Sequence, residues 1–370
     1  MFEPQTQPAL QSPRDRFAET PFLVIWETTQ ACDLACQHCR ACAQPKRDPQ
    51  ELDTAQALDL IRQVDEWGVP LFVLTGGDPL KRPDLMELIA ECSRRRMTFA
   101  LAPSVTPLVT QEKLKRLKDA GLHRISISLD GADAATHDAF RGVPGSFRDT
   151  LAVLRLIREA GIELQVNTSV GKQNAGQLHR IVDLIRPLGI ELWSVFFLVP
   201  TGRATRDQML NAPQVESALG FLYAQLEKGE FDIKTTEAPH FRRVILQKNG
   251  VKPEDLGEAL KTHPKPGLLR SARGVNDGRG FVFVSHKGEV FPSGFLPVSG
   301  GRMGEKALRE IYRESETFKT LRDSDQLKGK CGGCEYRYIC GGSRARAYGM
   351  SGDLMAIDPL CAYQPPSRVG

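Results

Sequence analysis

Cys32-Asp33-Leu34-Ala35-Cys36-Gln37-His38-Cys39 follows a short apolar run, Phe22-Leu23-Val24-Ile25-Trp26, and a polar Glu27-Thr28-Thr29-Gln30. Three cysteines at C-x3-C-x2-C spacing therefore share one tight loop just past a strand-like segment. A cubane iron–sulfur cluster usually takes four cysteines. Three thiolates leave one iron open for a small molecule. Zinc favours closed tetrahedral sites, usually built from two ligand pairs, and a lone C-x3-C-x2-C matches that poorly.

Outward from this loop, apolar strand-like runs alternate with amphipathic helical stretches. The strands expected are 21–26, 71–75, 97–102, 123–129, 162–168 and 191–198. Between them, Leu58, Ile61, Val64 and Trp67 recur at helical spacing in 54–67, with Asp53 as N-cap and Gly68 as stop. Segments 83–95, 111–120, 147–160 and 176–187 read the same way. Six β/α units with doubly buried strands predict an α/β fold, a parallel sheet curled into a partial (β/α)6 TIM-like barrel. Such barrels carry ligand groups on the loops at the C-terminal ends of strands. The cysteine loop stands at such an end.

A second cysteine group, Cys331-x2-Cys334-x5-Cys340 with Cys361 beyond it, has enough thiols to fill a cubane shell. Its C-x2-C pair also suits zinc. Of nine cysteines, eight fall in these two regions, which reads as metal binding in a reducing cytoplasm rather than a disulfide scaffold. The ninth, Cys92, shares helical spacing with Leu85, Leu88 and Ile89 and is expected to pack in the core. Cys42 is expected not to be a ligand, because a fourth thiolate blocks the open iron.

The chain of 370 residues has ample length for a core and for two to three domains. A net charge of +4 gives no argument for nucleic acid. No run approaches the ~18 apolar residues that span a bilayer. The first twenty residues carry Pro4, Pro8 and Pro13 without an apolar core, so neither a signal peptide nor a membrane partner is expected. The expected organisation is an N-terminal extension (1–20), the barrel (21–205), a connector (206–275) and a C-terminal cysteine domain (276–370). Within the last, Phe281-Val-Phe-Val284 and Glu289-Val-Phe291 read as a hairpin, and a helical pattern surrounds 305–322.

At Cys32, Cys36 and Cys39, with His38 in the aromatic-type position before the last, the chain resembles the radical S-adenosylmethionine (SAM) superfamily. The resemblance implies a [4Fe–4S] cluster whose open iron takes the amino and carboxylate groups of SAM. It also implies reductive cleavage to a 5′-deoxyadenosyl radical that abstracts hydrogen from a substrate. Thr75-Gly76-Gly77-Asp78-Pro79 resembles the motif that binds the SAM amino group through backbone carbonyls. Ser126, Ser128 and Asp130 alternate along strand four, where the family sets SAM-contacting polar groups. Asn167 ends strand five, Val199 stands at the level of the adenine-binding backbone, and Arg141 is a candidate partner for the SAM carboxylate.

The C-terminal cysteines Cys331, Cys334, Cys340 and Cys361 resemble the SPASM/twitch extension, which implies an auxiliary [4Fe–4S] cluster. Thr236–Arg243, Gly288–Pro297 and Cys340–Ala347 look like the branch that acts in alternative haem and haem d1 assembly. Glu237, Ser293 and Ser343 stand where many members carry cysteine, so one auxiliary cluster is expected rather than two. Arg242, Arg243, Arg344 and Arg346 are candidates for substrate carboxylates. The leading expectation is oxidative modification of a tetrapyrrole-like small molecule, such as propionate removal. It requires a low-potential donor such as flavodoxin or ferredoxin. The rivals are maturation of a ribosomal peptide and, from another class, a non-catalytic iron–sulfur carrier.

Overall fold

The computed structural model describes residues 17–366; the rest of the expected N-terminal extension lies outside them. A ten-stranded sheet organises the chain, in the order β10-β9-β8-β1-β2-β3-β4-β5-β6-β7. Its first six strands follow the apolar runs: β1 (Leu23–Glu27), β2 (Leu71–Thr75), β3 (Phe99–Leu101), β4 (Arg124–Ser128), β5 (Glu163–Val170) and β6 (Leu192–Phe197). All pair in parallel with their sequence neighbours.

The crossovers are α1 (Thr54–Glu66), α2 (Leu85–Arg94), α3 (Gln111–Asp119), α4 (Ala134–Arg141) with α5 (Ser146–Glu159), and α6 (Leu178–Ile185). Asp53 caps α1 through a reciprocal box with Gln56, so α1 starts where the spacing predicts. Val24, Trp26, Phe72, Ile125, Val166 and Trp193 face these helices in one continuous core, and Cys92 lies within it. Burial pushes the Cys92 thiol up to about 12, as expected of a packing residue.

The parallel sheet continues past 205. After α7 (Ala212–Leu226), β7 (Asp232–Thr236) pairs in parallel with β6. Its residues Asp-Ile-Lys-Thr-Thr are mostly polar, which hid it from a search for apolar runs. Helices α8 (Phe241–Lys248), α9 (Leu256–Thr262) and α10 (Pro266–Arg270) complete the stretch read as a connector.

The chain then returns to the other edge. β8 (Phe281–Val284) pairs in parallel with β1, and β9 (Glu289–Phe291) and β10 (Gly301–Arg302) follow antiparallel. The expected hairpin is thus grafted onto the barrel sheet. The helical pattern around 305–322 resolves into α11 (Leu308–Glu314) and α12 (Glu316–Arg322), broken at Ser315, whose side chain caps α12. Short α13 (Gly329–Gly333) and α14 (Arg344–Ser351) follow. Leu23, Ile25, Leu71, Val73, Phe281 and Phe283 form a second apolar cluster on the inner sheet face, opposite the helices.

Candidate active site

The cysteine loop leaves the C-terminal end of β1 and is held from several sides. Glu51, buried on the loop before α1, accepts from Thr29 Oγ1 at 2.7 Å and from the Gln30 amide at 2.8 Å. Gly77 N–H donates to Thr29 O at 2.7 Å, and Asp78 N–H to Ala31 O at 2.6 Å. A Cβ on Gly77 would stand 2.6 Å from the Gln30 carbonyl oxygen, so only glycine admits this backbone docking. From β6, Gly202, at φ 61°, packs within 2.8 Å of the Arg40 carbonyl carbon, measured from where a Cβ would be. The next amide, Arg203, donates to Cys39 O at 3.0 Å.

Donors aim at the thiols themselves. Leu34 N–H lies 3.4 Å from Cys32 Sγ, and Ala43 N–H 3.4 Å from Cys39 Sγ. Ser104 Oγ lies 3.3 Å from Cys32 Sγ, but its one hydrogen goes to Gly77 O, so toward Cys32 it can only accept. Arg141 Nη1 lies 3.6 Å from Cys36 Sγ. Such donors stabilise thiolate over thiol, as iron ligation needs. Cys42 adopts φ 48°, and its amide donates to Cys39 O.

Two of the expected SAM contacts are committed elsewhere. Asp130 is fully buried; its Oδ1 accepts from Ser169 N–H at 2.7 Å and its Oδ2 lies 2.7 Å from Arg141 Nη2. Against the cost of burial, the Arg141 guanidinium holds this carboxyl below its ordinary value. Arg141 is therefore pinned between Asp130 and Cys36 and does not stand free for a carboxylate. His38 packs on Phe140, ring centres 4.5 Å apart, and burial lowers it to about 4, so it is neutral.

Asp78 is also buried, accepting from Leu80 N–H and Thr106 Oγ1. Burial raises its carboxyl. Val199 packs with Leu296, Leu321 and Ala345, and its carbonyl accepts from Thr201 N–H at 2.8 Å. Ser126, Ser128 and Asn167 stand on the inner face of β4 and β5, with Asn167 Oδ1 accepting from Gln165 Nε2. Gly76 packs against Thr29, where a Cβ would lie 2.7 Å from the carbonyl oxygen.

The residue that sequence reading passed over is Arg203. Its Nε and Nη2 are buried without a hydrogen-bond partner, and its charge bears on His38 beside the cysteines. An orphaned guanidinium at the mouth of a barrel is built to meet an anion. A second missed group joins the two ends of the chain. Arg40, next to Cys39, lies 2.8 Å from Glu27 Oε2 and stacks over Phe283 of β8. His286 Nδ1 donates to the other Glu27 oxygen at 2.6 Å.

In the C-terminal region, Cys331, Cys334, Cys340 and Cys361 line one cavity with Lys330 and Tyr363. Gly342 N–H lies 3.4 Å from Cys340 Sγ. Burial pushes Cys334 up to about 11 and raises Cys340 and Cys361. Among the described residues no three His, Cys, Asp or Glu side chains gather as a single-ion site. Four thiols around a space, with no imidazole or carboxylate donor lining it, fit a multi-iron cluster.

The four arginines proposed for substrate carboxylates each have internal partners, although Arg243 Nε, Arg344 Nη2 and Arg346 Nη1 are buried without one. Arg346 is fully buried on Asp358 (2.8 Å) and donates to Glu237 O, while Arg344 donates to the carbonyls of Leu354 and Ala356. Arg243 pairs with Glu216, and Arg242 donates to Ile339 O and Val275 O. Guanidiniums this deep need an internal partner. Glu237, at φ 58°, accepts from Ser343 Oγ, and burial with Asp277 nearby raises its carboxyl well above the usual range. Ser293 is buried.

Comparison with known proteins follows the same lines. Residues 26–185 match the radical SAM superfamily. The chain is 42% identical over 345 residues to the AdoMet-dependent heme synthase of Nitratidesulfovibrio vulgaris, covering 93% of this chain and 92% of that one. It is 40% identical to the AdoMet-dependent heme synthase of Methanosarcina barkeri, covering 94% and 98%. Streptococcus suis SuiB bound to precursor peptide SuiA shares the fold at TM-score 0.72 and 16% identity, covering 98% of this chain and 84% of SuiB. The chain belongs to the radical SAM superfamily. It is an enzyme, and its superfamily works with a [4Fe–4S] cluster and SAM.

Proposed function

We propose that this enzyme converts a propionate-bearing iron tetrapyrrole to a haem-type product by oxidative side-chain removal. The observation that carries the reading is identity of 40–42% over at least 93% of the chain to two proteins named AdoMet-dependent heme synthase. Turning a propionate into a vinyl group releases carbon dioxide and takes away one hydrogen atom and one electron. Bound SAM on its cluster supplies the radical that takes the hydrogen, and a fully ligated second cluster supplies an electron acceptor.

In this reading Cys32, Cys36 and Cys39 hold the first cluster, and Cys331, Cys334, Cys340 and Cys361 the second. Arg203, in place of Arg141, meets the SAM carboxylate. Ser126, Ser128 and Asn167 line the SAM side of the barrel, and Gly76 and Gly77 bring their loop against the cysteines. Asp130 and Arg141 hold the cysteine loop in position. The apolar inner wall of β1, β2 and β8 keeps water from the radical. A flavodoxin or ferredoxin in a reducing cytoplasm feeds the first cluster. Among the described residues no helix is long and apolar enough to cross a membrane.

Anaerobic reconstitution with iron and sulfide counts tests this. About eight irons are expected in wild type and about four in a Cys32→Ala/Cys36→Ala/Cys39→Ala variant, with 5′-deoxyadenosine formation lost. With iron-coproporphyrin III as substrate, mass spectrometry is expected to show propionates replaced by vinyl groups in step with 5′-deoxyadenosine. An unchanged tetrapyrrole, with SAM cleavage stimulated instead by a precursor peptide, would transfer the assignment to peptide maturation.

A further inference from the structure

The strand register lines up Ser128, Asn167, Ser194 and Lys234 in one row across β4, β5, β6 and β7. Strands lie about 4.8 Å apart, so the row spans about 14 Å. It runs along the inner face, because the alternate residues Ile127, Val166, Val195 and Ile233 pack in the core beneath the helices. The first two residues belong to the proposed SAM side. Lys234 closes the far end.

Lys234 has no acidic partner among the described residues. Its side chain is open to solvent, yet protein hems it in closely enough that burial, with Arg242 beside it, pulls its ammonium down to about 8. Its place in the row, on the face of β7 opposite core residue Ile233, turns it toward the inner side of the sheet. Arg242 cannot neutralise it, and its guanidinium is tied to Ile339 O, next to Cys340. Lys234 therefore stands between the SAM side of the barrel and the four-cysteine cavity. One row further along the same face come Phe196 and Thr236, and Phe196 meets Phe295 with ring centres 6.2 Å apart. An unpaired cation beside an aromatic pair suits an amphipathic ligand with an apolar body and a carboxylate.

We propose that Lys234 is the anchor for a substrate carboxylate, the specificity contact of the barrel's β6–β7 side. This deepens the tetrapyrrole reading and, for the identity of the substrate, rests on it. Three reconstituted holoenzymes, wild type, Lys234→Met and Lys234→Arg, are titrated anaerobically with coproporphyrin III and with its tetramethyl ester, by fluorescence quenching. Equal iron contents establish that the variants fold. Lys234→Met is expected to weaken the free acid about tenfold or more, with Lys234→Arg recovering most of it and the ester binding wild type and Lys234→Met alike. Equal affinity of wild type and Lys234→Met for the acid, or an equal loss for acid and ester, overturns the proposal.

A second arm is independent of the tetrapyrrole. Wild-type lysines are labelled with trinitrobenzenesulfonate and mapped by peptide mass spectrometry, with and without benzene-1,3,5-tricarboxylate or its trimethyl ester. Shielding of Lys234 by the acid and not the ester supports the anchor even if wild type binds no porphyrin, in which case only the substrate reading falls. Lys234 labelled equally under all three conditions overturns the anchor whatever the porphyrin does.

Discussion

Arg141 and Arg203 both lie near the cysteines, and their surroundings give them opposite roles. Arg141 already has the buried Asp130 carboxylate, whereas Arg203 has orphaned nitrogens. Asp130→Asn would leave a buried guanidinium without its counter-charge. Urea unfolding is expected to show a loss of about 3–5 kcal/mol, the usual cost of breaking a buried pair from one side. Arg203→Gln removes a guanidinium whose Nε and Nη2 have no hydrogen-bond partner among the described residues. The expected result is an unchanged iron count and a SAM dissociation constant raised by about tenfold or more, read by equilibrium dialysis. Sequence reading offered Arg141 and passed over Arg203, because pairing depends on which acids the fold brings alongside.

At the scale of elements, the cysteine loop owes its shape to neighbours from other strands. The segment 29–31 is docked by the loop after β2, and Cys39 by the loop after β6. Gly77→Ala forces a methyl group against the Gln30 and Ala31 carbonyls, which must shift the start of the cysteine loop. The expected outcome is loss of the catalytic cluster, with about four irons retained by the C-terminal cysteines and no 5′-deoxyadenosine formed. Full iron content and activity in that variant would show the loop to be far more compliant than this packing implies. The first six strands and their helices were legible because apolar runs and 3.6-residue spacing report burial directly. β7 was not, since its inward face carries the polar Asp232, Lys234 and Thr236.

For the whole molecule, acid stability follows from buried histidines. His137 accepts from Asp130 N–H at Nδ1, so its proton sits on Nε2, where Ser146 and Thr150 accept. Burial lowers both His137 and His240 to about 4. Their folded values lie below the unfolded value of about 6.5, so the unfolded chain binds more protons between pH 6.5 and 4. Their contribution is complete above pH 6.5 and lost as pH falls toward 4. These two groups give about 4 kcal/mol of destabilisation at pH 5 relative to pH 7, and buried His38 adds to it in the same direction, read as a lower urea midpoint. Asp130 and Asp358, held low by Arg141 and Arg346 against the cost of burial, add their loss only below about pH 4. A flat urea midpoint from pH 7 to 5 would mean that these histidines are protonated in the native state.

The sequence by itself determined the two cysteine sets, the parallel α/β core and the chemistry that three thiolates on one loop permit. These are local facts: spacing along the chain and periodic burial. Only the tertiary structure decided which charges are spent and which are free. Arg242, Arg243, Arg344 and Arg346 found carboxylate or carbonyl partners 10 to 109 residues away, while Lys234 and Arg203 found none among the described residues. It also brought Cys361 into the cavity of Cys331, Cys334 and Cys340, and returned β8 to the side of β1. Ion pairing and strand adjacency depend on distances through space, and those are set when the chain closes on itself.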